Sequence, residues 1–217
     1  MRNHGLSITL TALFVVFMGA QTLTGWYAFN DEQREHRAEE VTLRDYLGSG
    51  HFMEATAENW ESEFLQMAAY VFLTVFLFQR GSAESKKIGE VEAVDRDPRS
   101  FKAKPDAPWP VRRGGWVLKV YENSLALAFL LLFLISFGLH AVGGTVLHND
   151  EAAAHGGELL SVSEFAQTSQ FWFESFQNWQ SEFLSLVAMV VLSIFLRQRG
   201  SPESKPVDAA HAQTGAD

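Results

Sequence analysis

Cysteine is absent from the 217 residues. That excludes disulfides and thiolate metal sites, and says little about compartment. Proline is scarce, and four of its six copies (Pro98, Pro105, Pro108, Pro110) fall in one segment. No HExxH, phosphate loop, nucleophile elbow or haem-spaced histidine pair occurs, so no enzyme activity and no cofactor are expected. The net charge of −9 comes largely from loops and the tail, which gives no footprint for nucleic acid. The most telling absence is local. Leu6–Phe29 and Asn123–Leu147 contain no Asp, Glu, Lys or Arg. A water-facing helix needs a polar stripe, and these runs have none.

Each run exceeds the roughly 20 residues that cross a bilayer. Two shorter runs, Phe64–Phe78 and Phe183–Leu196, reach that length if their helices start near Trp60 and Trp179, where an interfacial tryptophan is expected. Four transmembrane helices are therefore expected. The first is not a signal peptide, because it is too long for a signal core and its copy lies in mid-chain.

That copy is part of a duplication. Residues 3–87 align without a gap on residues 122–206 at a shift of 119, with 29 of 85 positions identical. Asn59-Trp60-Glu61-Ser62-Glu63-Phe64-Leu65 returns as Asn178-Trp179-Gln180-Ser181-Glu182-Phe183-Leu184. The QRGSxESK motif at Gln79 returns at Gln198, and Asn30-Asp31-Glu32 with His36 returns as Asn149-Asp150-Glu151 with His155. Two copies of one unit fix the architecture: an all-α polytopic membrane protein of two helical hairpins. The repeats are 3–87 and 122–206, with a linker at 88–121 and a disordered tail at 207–217. Lys and Arg set the orientation. Fourteen of seventeen lie in Arg2, the segment Gln79–Lys119, and Arg197, Arg199 and Lys205. Both termini and the linker are thus expected in the cytoplasm. With two crossings each, the hairpins are parallel repeats.

Within each repeat, Thr42…Asp45 and Ser161…Glu164 outline a capped short helix on the outer surface. Gly81 and Gly200 are expected to close the second helix of each repeat.

The candidate polar intramembrane site is Asn59 and Glu63 with their copies Asn178 and Glu182, together with Gln21 and its counterpart His140. An ionisable group at membrane depth is a functional candidate by default, yet the same residues serve equally well for helix docking. His140 beside Glu63 or Glu182 would make a proton-handling pair. Asp31, Glu32, His36, Asp150, Glu151 and His155 have ligand types suited to a divalent cation, although their spacing matches no known metal site.

On the NWxSEFL, QRGSxESK and NDExxxH segments, the chain resembles a family of small bacterial integral membrane proteins whose function is unknown. The resemblance implies a bacterial plasma (inner) membrane and a multi-pass chain. It carries no activity, substrate or catalytic residue. The expected partners are the lipid bilayer and either a second copy or another membrane protein. Two roles remain open: a non-enzymatic structural or accessory membrane component, or a small proton- or cation-linked transporter or channel.

Overall fold

The computed structural model describes residues 2–215. The tail expected at 207–217 includes residues 216 and 217, which lie outside the described residues. Among the described residues there is no strand. Four long helices dominate: α1 (Gly5–Glu35), α3 (Gly50–Phe76), α6 (Ser124–His155) and α8 (Ser169–Phe195). Shorter helices α2 (Leu43–Tyr46), α4 (Trp109–Arg113), α5 (Gly115–Glu122) and α7 (Val162–Phe165) lie between them. Among the described residues, three helices, α1, α6 and α8, are long and apolar enough to cross a membrane. α3 matches α8 in length, but Glu54, Glu58, Glu61 and Glu63 dilute its first half.

Residues 1–60 with 136–174 form one compact unit, and 61–135 with 175–217 another. Each unit draws on both sequence repeats.

In the first unit the duplication is visible as duplicated hydrogen bonding. Asn30, buried near the end of α1, accepts from the Val41 amide (2.8 Å) and donates to the Val41 carbonyl (3.1 Å). Asn149 does the same to Leu160, at 2.8 and 2.9 Å. Each asparagine closes the loop that leaves its long helix. Both loops begin with a left-handed residue, Arg37 at φ 59° and its copy Gly156 at φ 72°. The chain then enters the predicted short helices. Thr42 accepts from the Asp45 amide, and Ser161 with Glu164 forms a complete capping box. Phe165 and Phe171 are fully buried and pack with Ala141, Phe137, Leu160 and Ala166.

The start of α3 crosses α6 at backbone contact distance. A Cβ on Gly143 would stand 2.7 Å from the Glu54 amide nitrogen, and one on Gly50 would stand 2.6 Å from that of Leu147. Small residues at a crossing let helix backbones meet this closely. The helices α3 and α8 begin about ten residues before the tryptophans expected to mark their starts. The added turns are polar, and they carry the residues discussed below.

In the second unit the later parts of α3 and α8 exchange polar contacts. Gln66 donates to the Glu182 carbonyl (2.7 Å) and to Ser185 Oγ (2.8 Å), and Trp179 Nε1 donates to Glu61 (2.7 Å). The linker is not simply extended. It holds two 3-10 turns, Ala93–Asp95 and Pro98–Phe101, and then α4 and α5, whose Val111 and Leu118 cluster with Ala107. Gly81 and Gly200 do not terminate the helices, which stop at Phe76 and Phe195. The glycines sit five residues further on, at φ 86° and 84°, in turns closed by Ser82 and Ser201 amides. Residues 206–215 fold back on the first of these turns. Lys205, buried, donates to the carbonyls of Gly81, His211 and Gln213, and Thr214 Oγ1 accepts from the Gly81 amide.

Candidate functional site: a buried carboxylate–imidazole–carboxylate group

Among the described residues, one group of acidic and histidine side chains converges closely enough to share an ion: Glu54 of α3, His140 of α6 and Glu174 of α8. Their ligand atoms all lie within 4.8 Å of one another. His140 is fully buried, and its Nε2 is 3.5 Å from Glu174 Oε2. Glu174 keeps 22% of its side chain exposed, and Glu54 is 9% exposed.

Each ligand is placed by local packing. The Phe171 ring, one turn before Glu174 on α8, lies 4.7 Å from the His140 ring centroid and fixes its tilt. Gly144 leaves the space that Glu54 occupies, since a Cβ there would stand 2.7 Å from Glu54 Oε1 and 2.5 Å from the Phe165 ring. The hydroxyl of Tyr46, on the equivalent short helix α2, fills the corresponding space at Gly25 and reaches His51 Nδ1 at 3.2 Å. Burial raises the Tyr46 pKa above its ordinary value.

The remaining sequence candidates are dispersed. Gln21, Asn59 and Glu63 are exposed, and Asn178 and Glu182 are half-buried. The Asn59 side chain turns back to the Ala55 carbonyl (2.7 Å). His140 meets Glu174 rather than the glutamates of the NWxSEFL motifs. Glu32, His36, Asp150, Glu151 and His155 line one cavity of about 430 Å³, together with His51 and Gly50. The rings of His36 and His155, equivalent in the two repeats, meet edge to face at 5.9 Å. Asp31 pairs instead with Arg34 at 3.0 Å.

Glu54 and Glu174 escaped the sequence reading because neither is repeated. Their counterparts 119 residues away are Phe173 and Ala55, and that of His140 is Gln21. The signal present in the sequence was the reverse of conservation between copies: a charge in one half set against an apolar residue in the other.

The pattern of one protein family, described as a domain of unknown function (DUF6766), matches residues 1–216. The chain belongs to that family. No curated protein matches it, and no solved structure does. Within this DUF6766 chain, the motifs kept in both repeats are largely occupied in holding helices and loops together. Asn30 and Asn149 close loops, Trp179 docks on Glu61, and Ser82 meets Ser193 at 2.9 Å. The buried group departs from this pattern, because none of its three residues is kept at the equivalent position of the other repeat.

Proposed function

We propose that this chain is a non-enzymatic structural or accessory component of a bacterial plasma membrane. In this reading it crosses the bilayer four times as two parallel hairpins, with both termini in the cytoplasm. The observation that carries the reading is how the duplicated polar residues are used. They are spent on packing, as the Asn30 and Asn149 clamps illustrate, while the apolar faces of α1, α6 and α8 stay exposed to a surrounding that must itself be apolar. Lipid, or a second membrane protein, is that surrounding.

The contact of Gln66 with Ser185, its own counterpart at the 119-residue shift, supports parallel hairpins. Such self-meeting is what a pseudo-two-fold axis along the membrane normal produces. The charge asymmetry supports the orientation.

Single cysteines at the exposed positions Ser100 and Ser163 test this topology with an impermeant thiol reagent on intact cells. Labelling at 163 and protection at 100 is the expected result. The reverse pattern inverts the orientation, and labelling at both removes the even number of crossings.

A second reading, proton- or cation-linked transport, is favoured by one observation: two carboxylates and an imidazole are gathered in the first unit on helices read as membrane spans. Flux assays in liposomes under cation and pH gradients separate the two readings. Absence of flux retains the accessory role.

A further inference from the structure

We propose that Glu54, His140 and Glu174 bind one first-row divalent transition ion per chain. The inference stands whether or not the protein transports anything, since it concerns a resident ion.

Two carboxylates facing one imidazole leave a net negative charge even when the histidine is protonated. Glu54 is nine-tenths buried, with Glu174 and His140 in reach of its carboxylate. An ionised carboxylate buried beside a second one is costly. Neutrality without a metal takes two protons, one on the imidazole and one on a carboxylate. A divalent ion neutralises both carboxylates and takes the imidazole as a neutral donor, so it accounts for all three residue types together.

Nitrogen and carboxylate oxygen ligands stand about 2.0–2.2 Å from zinc, so tetrahedral neighbours are about 3.4 Å apart. The His140–Glu174 contact, at 3.5 Å, already has that separation. Glu54 joins by a side-chain adjustment within the 4.8 Å group. Imidazole with two carboxylates suits zinc, manganese or iron better than calcium, which takes six to eight oxygens. Three protein ligands leave a further position for water.

The loop clamps recur in both halves as Asn30 and Asn149, whereas all three residues of the group are replaced in the copy, which offers Phe173, Gln21 and Ala55. A phenyl, an amide and a methyl group cannot form such a site. The stoichiometry is therefore one ion per chain.

Gly50 and Leu147, which pack at the Gly143 crossing, line the 430 Å³ cavity about one helical turn along α3 from Glu54. Glu32, Asp150 and Glu151 in its wall attract cations toward the crossing.

The test uses the full chain purified in nanodiscs without a histidine tag. Metal is stripped with chelator, zinc chloride is added back, and bound zinc is counted after dialysis. The expected result is one zinc per chain, with calcium chloride unable to displace it. Zinc should also raise the unfolding temperature. Glu54→Gln and Glu174→Gln keep side-chain volume, and each should weaken zinc binding by at least the roughly 10–100-fold seen on losing even an outer-shell partner. The double variant His36→Ala/His155→Ala should bind as the parent does. Four results overturn the proposal: no stoichiometric zinc on folded parent, displacement by calcium, unaltered affinity in folded Glu54→Gln and Glu174→Gln, or loss of binding with His36 and His155 instead. Because His140 is buried, His140→Ala is informative only beside the glutamine variants, whose secondary structure is checked by circular dichroism.

Discussion

Gln66 hydrogen-bonds to Ser185, the residue that occupies its own place in the other repeat. One amide nitrogen thereby ties α3 to α8, reaching both the Ser185 hydroxyl and the Glu182 carbonyl. The two halves differ at this position because a single long side chain suffices. A glutamine on both sides would compete for the same space.

Replacing Gln66 by Leu keeps the volume and removes both bonds. The expected loss is about 1–3 kcal/mol, the usual consequence of leaving buried groups unsatisfied. Reversible unfolding in mixed detergent measures it. Ser185→Ala, which leaves the Glu182 carbonyl contact in place, should lose less.

Asn30→Ala and Asn149→Ala each remove two side-chain hydrogen bonds from the returning loop. Exchange of the Val41 amide should accelerate in the first variant and that of Leu160 in the second. Each effect should stay in its own half. Val41 keeps one partner, the Trp26 indole, which donates to its carbonyl at 2.8 Å. The Asn149 variant should therefore be the more damaging of the two.

Gly144→Ala places a methyl group against the Phe165 ring and the Glu54 carboxylate. Overpacking of this kind costs about 1–3 kcal/mol, and it should weaken zinc binding as well, because Glu54 is displaced. Gly25→Ala meets the Tyr46 hydroxyl at the equivalent place. It should cost stability and leave zinc affinity unaltered. Unfolding and metal titration on the same samples separate the two effects.

The capping box of α7 should be sensitive to acid. Hydrogen bonds from the Ser161 hydroxyl and then the Ser161 amide hold Glu164 below the ordinary carboxylate pKa. A lowered folded pKa means that the fold binds the proton less tightly than the unfolded chain does. The stabilisation is therefore complete above the ordinary glutamate range. It is lost as pH falls through the lowered folded value. Exchange of the Ser161 amide, corrected for intrinsic rate, should rise over that acidic window in the parent and be independent of pH there in Glu164→Gln.

Much of this chain was legible in its residues. Uncharged runs gave long apolar helices, because no water-facing helix lacks polar groups. The gapless repeat showed which motifs recur, and hydroxyl–carboxylate spacing located α2 and α7, because capping is a local interaction. Other features depended on which segments meet. The residues pointed to Glu63, Glu182, Asn59, Asn178, Gln21 and His140 as a polar site, and of these the structure gathers His140 with Glu54 and Glu174. Those three come from three different helices, and their convergence requires the backbone contact that Gly50 and Gly143 permit and the side-chain space that Gly144 leaves. Periodicity describes one helix at a time and cannot encode that crossing. The sequence by itself determined the helices, their caps and the twofold repetition, all products of local chemistry. Only the tertiary structure decided which carboxylates are buried together, because burial is a property of neighbours.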